Sequence, residues 1–121
     1  MEPWLTGAYA HLAPIPRLLR CSLDLSLGDV RRWTEPLGDG QIWAEFGEAG
    51  TVGFQLRHLA GSVDRLLTYA RGEALTEAQL AFLRRESEPG ATKAELLEAL
   101  ESAYATAGEF AERASGFDEP R

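Results

Sequence analysis

TKAELLEALESAYATAGEFAERAS, residues 92–115, sets Leu97, Leu100, Tyr104, Ala107, Ala111 and Ala114 three or four apart without a break. That spacing returns to one side of a 3.6-residue turn, so it predicts an amphipathic helix with one apolar stripe. Thr92 and Glu95 stand as a capping box at its start, and the small alanines predict close helix–helix approach. Working toward the N-terminus, Thr76-Glu77-Ala78-Gln79 is a second capping box, opening a short helix through about Arg85. Before it, Thr51 caps a helix that runs to about Arg71 and stops at Gly72, with Val52, Leu56, Leu59, Val63, Leu66 and Ala70 as its core face. A first helix follows Pro14 and Pro16, on the stripe Leu19, Leu23, Leu27, Val30 and Trp33. Residues 2–10, with Trp4, Leu5 and Tyr9, read as a short helix or an ordered arm.

Residues 35–50 hold four glycines and a proline, and read as a long connection that packs through Ile42, Trp43 and Phe46. No segment reads as a strand. The expectation is one all-α, up-down helical bundle domain over residues 1–121.

Composition narrows the function classes. Apolar residues at 45% and charged ones at 26% are globular usage and argue against disorder. A net charge of −7, with arginines scattered among acids, disfavours nucleic acid. No apolar run approaches the length of a membrane span, and the N-terminus lacks the pattern of a signal peptide. Cys21 is the single cysteine and requires no oxidising compartment, so the expected location is cytoplasmic.

Residues for chemistry are few. There is no HExxH, CxxC, GxSxG or phosphate-binding glycine loop. His58 lies about 120° from the centre of its helix's core stripe, counting about 100° per residue. Its flank holds Phe54, Gln55, Ser62, Arg65 and Tyr69. The imidazole reads either as a hydrogen-bonded group at a helix edge or as one ligand of a metal. His11, before the two prolines, reads as a structural or surface residue, and Cys21 as a small core residue. Arg84–Arg85 and Glu112–Arg113 read as solvated helix faces.

The stretch Thr51–Glu86, TVGFQLRHLAGSVDRLLTYARGEALTEAQLAFLRRE, resembles the DinB-like (DinB/YfiT-like) family of four-helix bundles. The resemblance rests on a phrase of the type G-x-x-L-x-H-L-A-x-S-x-x-R, matched by Gly53, Leu56, His58, Leu59, Ala60, Ser62 and Arg65. The helix from Thr92 is similar to that family's third helix. The resemblance implies a divalent metal, zinc or nickel, bound by three histidines, with His58 supplying one and an HxxxH pair on a fourth helix supplying two. It further implies a thiol-dependent transferase, an isomerase or an activity yet to be assigned. No HxxxH pair occurs in this chain, so the expected site is incomplete, with His58 its one metal ligand and metal binding by the isolated chain weak or absent.

The expected fold is therefore three long helices plus a short one, with the fourth bundle helix missing or replaced. Such a bundle would bare apolar parts of Leu97, Leu100 and Tyr104, to be covered in a homodimer or by a partner helix. Two further readings stand beside the metal site. One is a non-catalytic helical module that works by self-association or helix-in-groove binding. The other is a small-molecule pocket lined by Trp43, Phe46, Phe54 and Tyr69.

Overall fold

A computed structural model describes residues 7–45 and 47–113. Four α-helices follow one another: α1 Pro14–Thr34, α2 Val52–Ala70, α3 Glu77–Arg84 and α4 Lys93–Arg113. Two single 3₁₀ turns, Gln41–Trp43 and Gly47–Ala49, lie in the connection before α2.

The helix ends form where the sequence sets them. The Thr51 hydroxyl accepts from Phe54 N–H at 2.9 Å, and Gly72, at φ +76°, turns the chain after α2. At α3, Gln79 N–H donates to Thr76 Oγ1 at 3.1 Å and Thr76 N–H donates to Gln79 Oε1 at 2.8 Å. The same reciprocal pair closes between Thr92 and Glu95, both bonds at 3.1 Å. It holds the Glu95 carboxyl below the usual carboxylate range, because the backbone and then the side chain of Thr92 bond to it.

α4 is the centre of the packing. It runs parallel to α2 and antiparallel to α1. Trp43 joins the starts of α2 and α4, lying on Gly53 while its indole N–H donates to Ala91 C=O at 2.8 Å. Along α1 the pairs run in opposite order: Lys93 with Thr34, Glu101 with Arg31, Tyr104 with Ser26 and Glu112 with Arg20. Ile42, Leu56, Ala60, Leu96, Leu100 and Tyr104 are the buried core, with Leu23, Leu27 and Val30 of α1 packed against them.

This arrangement overturns the expected fold. The described residues make a bundle of four α-helices, not the expected truncated bundle whose fourth helix is missing or replaced. The physical reason is how α3 and α4 pack. α3 is a separately capped helix that lies antiparallel on α2 as an element in its own right. α4 seats its apolar face on α2 and α1 together, so Leu100 and Tyr104 are buried and Leu97 is partly buried. The face expected to be bare is core.

Individual stripes are corrected too. α4 buries Leu96, Leu100, Tyr104, Gly108 and Ala111, so its stripe is centred on Leu96 and Gly108, not Leu97 and Ala107. Gly108 is in the stripe because the Arg20 guanidinium lies directly on it, where a Cβ would stand. In α1 the fully buried residue is Cys21, while Leu19 and Trp33 face outward. In α2, Ala60 and Gly61 are buried, whereas Leu59 and Leu66 are exposed and Ala70 lies outside the core.

The segment before α1 docks on it. Tyr9 donates its hydroxyl to Asp24 at 2.6 Å, Arg17 Nε–H donates to Ala8 C=O at 3.0 Å, and the Arg20 guanidinium stacks over the Tyr9 ring. Trp4, Leu5 and Phe46 lie outside the described residues.

Candidate functional site

α3 and the turn after it are pinned to α2 at both ends. Gln79 donates to Asp64 Oδ2 at 2.9 Å and to Thr68 Oγ1 at 2.8 Å. Arg57 Nη1 donates to the carbonyls of Arg85 at 2.9 Å and Glu88 at 2.7 Å. Between these anchors the turn drives Glu86 inward against α2, where its side chain is only 2% exposed.

Burying a carboxylate is costly unless its oxygens are paired. Both are. His58 Nδ1 stands 3.0 Å from Oε1, and Arg65 Nη1 donates to Oε2 at 3.1 Å. Arg65 also donates through Nη2 to Ser62 Oγ at 3.4 Å, and Ser62 Oγ lies 3.5 Å from His58 Nε2. Four side chains thus close a ring: Glu86, His58, Ser62 and Arg65. A carboxylate accepts only, so Nδ1 carries the proton, and in the neutral ring the Nε2 lone pair then faces Ser62. Phe54, one turn before, stacks on the imidazole at 5.4 Å with an interplanar angle of 18°. The imidazole itself is 47% exposed.

Gly61 makes room for this ring. A Cβ there would come within 2.5 Å of Glu86 Oε2, 2.7 Å of Arg65 Nη1 and 2.8 Å of Phe82 Cε1. Glycine in a helix interior costs about 1 kcal/mol against alanine, and here the missing methyl admits a carboxylate.

Of the residues singled out from sequence, Phe54, Ser62 and Arg65 come together around His58. Tyr69 is exposed at the far end of α2, and Gln55 borders a different groove, between α1 and α2. His11 is exposed in the segment before α1. Cys21 is fully buried with its thiol 4.0 Å from Ala8 C=O. Arg84 and Arg85 are exposed, while Glu112 pairs with Arg20. Trp43 is a packing residue on Gly53 rather than a pocket wall beside Tyr69. Glu86 is the member of this ring that sequence reasoning missed. The signal was one of two acids, Glu86 and Glu88, in the loop after α3, and nothing in the local pattern tells which of them turns inward.

For a metal, the ring offers one imidazole donor already oriented by a carboxylate on its other nitrogen, as ligating histidines commonly are. Among the described residues no group of three or more histidine, cysteine, aspartate or glutamate side chains converges to hold an ion. No described helix is long and apolar enough to cross a membrane. No family model, curated protein sequence or solved structure matches the chain.

Proposed function

We propose that the chain is a DinB-like helical bundle that contributes His58 as one donor to a divalent-metal site, zinc or nickel, whose other donors come from a second chain. The observation that supports it is the Glu86 carboxylate on Nδ1, which fixes the tautomer and presents Nε2 at the surface. One imidazole fits one position of such a site and no more, since zinc takes three or four ligands. The bound ion would supply Lewis acidity. The single cysteine suits a cytoplasmic setting.

The test is a zinc titration of the metal-free protein, followed through the His58 ring resonances. Those signals respond at zinc concentrations above micromolar, and Glu86→Gln weakens the response by about tenfold. His58 resonances unmoved by millimolar zinc would sink the proposal. So would a submicromolar, one-to-one affinity lost in His58→Ala, which requires a complete site in one chain.

A second reading is self-association, favoured by the groove between α1 and α2. It is about 500 Å³ and lined by Leu25, Val30, Trp33, Val52, Leu56 and Leu59. Trp33 is 73% exposed. In a chain of charge −7, Asp29 is the one ionisable residue among the described residues that line this groove, so a second copy meets little like-charge repulsion there. Sedimentation at rising concentration gives a dimer that Trp33→Asp dissociates. A strict monomer at high concentration rules it out.

A further inference from the structure

The ring around Glu86 has the polarity of a nucleophile, a base and an orienting acid in series. Ser62 Oγ is 3.5 Å from His58 Nε2, the nitrogen that carries the lone pair of the neutral ring when Nδ1–H is held by Glu86 at 3.0 Å. Nucleophile-to-base spacing is often this loose before substrate binds, and a third group orienting the base is the arrangement that activates a serine. Arg65 adds what a serine in mid-helix lacks. Backbone N–H groups near Ser62 are committed to α2, so an oxyanion needs a side-chain donor. The Arg65 guanidinium, 11% exposed and anchored by Glu86, already reaches Ser62 Oγ at 3.4 Å.

We propose that Ser62, His58 and Glu86, with Arg65 as oxyanion donor, form an acyl-transfer site for small activated carboxylic esters. Ser62 Oγ attacks the carbonyl carbon as its proton passes to His58 Nε2. The C–O bond to the leaving alcohol then breaks, and that oxygen takes the proton from the imidazolium. Water, deprotonated by His58, cleaves the acyl-serine to release the carboxylic acid and restore the hydroxyl. The half-exposed imidazole and the partly buried serine open directly on solvent, which suits small substrates. Phe54 stacked on the imidazole keeps the ring in place through the cycle. Glu86 is a positioning residue, since it touches only His58 and Arg65 within the ring.

The site goes beyond the metal reading and uses the same lone pair, so the test is run with a chelator present. p-Nitrophenyl acetate hydrolysis is measured for wild type, Ser62→Ala and His58→Gln, and an aryl fluorophosphonate probe is mapped by peptide mass spectrometry. The probe forms an Oγ–P bond and expels fluoride, so the label persists. Wild type carries the label on Ser62. His58→Gln slows labelling and hydrolysis by about a hundredfold, the low end of general-base contributions. Ser62→Ala abolishes labelling and drops hydrolysis to the same level. Glu86→Asp keeps a carboxylate but pulls it back from Nδ1, and lowers kcat while leaving KM within about twofold. Three results overturn the proposal: no label on Ser62 of the folded wild type, equal labelling in His58→Gln, or hydrolysis unchanged in Ser62→Ala. The last would mean that an exposed imidazole acts alone.

Discussion

A single carboxylate sets the character of this molecule at the residue scale. Glu86 is as buried as the aliphatic core, yet both oxygens meet cationic or N–H partners from α2. Removing one member of such a buried pair leaves the other charge stranded, at about 3–5 kcal/mol. Glu86→Ala therefore destabilises the fold by about that much in urea denaturation, while His58→Ala, removing a half-exposed partner, costs clearly less. Gly61 gives a sharper test, because two effects oppose. Helix propensity alone favours alanine by about 1 kcal/mol. The added methyl would press on Glu86, Arg65 and Phe82, and such overpacking costs about 1–3 kcal/mol. Steric pressure wins, so Gly61→Ala lowers the melting temperature. How much of the site was legible follows from the same residues. His58, Phe54, Ser62 and Arg65 share one helix flank, and helical spacing alone placed them together. Glu86 sits 28 positions away from His58, across a loop, and no periodicity links a turn residue to the face it folds onto.

At the element scale, the helix starts were readable because capping is local: Thr51, Thr76 and Thr92 each bond to the backbone N–H three residues on. Which side of a helix faces inward was less readable. Leu19, Leu59 and Leu66 are apolar and exposed, whereas Gly61 and Gly108 are buried because large side chains, Glu86 and Arg20, cross over them. Stripe counting scores hydrophobicity and overlooks a glycine that leaves room for a neighbour. Capping makes a pH prediction. Glu95 has a lowered pKa in the folded state, so its contribution is present above the ordinary carboxylate range. It disappears as pH falls through the lower folded value. The stability gap between wild type and Glu95→Ala, followed by circular dichroism melts, thus narrows below pH about 4. Lys93 acts on a different helix end. Its ammonium donates to the carbonyls of Thr34, Glu35 and Leu37 at 3.2, 3.1 and 2.8 Å, tying the end of α1 and the turn after it to the start of α4. Lys93→Met costs about 2 kcal/mol in the same denaturation assay.

For the whole molecule, class was legible and the packing of the helices was not. Four amphipathic or capped segments without a strand pattern point to a bundle, and a bundle is what forms. The notion that a helix was missing came from comparing patterns, and packing decided otherwise: α4 covers α1 and α2 together. Trp43 on Ala91 and Gly53, and Lys93 on the Thr34 carbonyl that closes α1, gather three helix ends at one pole. Deuterium should reveal that asymmetry as a gradient in time. Amides near Arg113 and Ile15 exchange first, as the opposite pole peels open, while those at Leu96 and Leu56 wait for global unfolding. A bundle tied in this way is expected to fray like a rope bound at one tip.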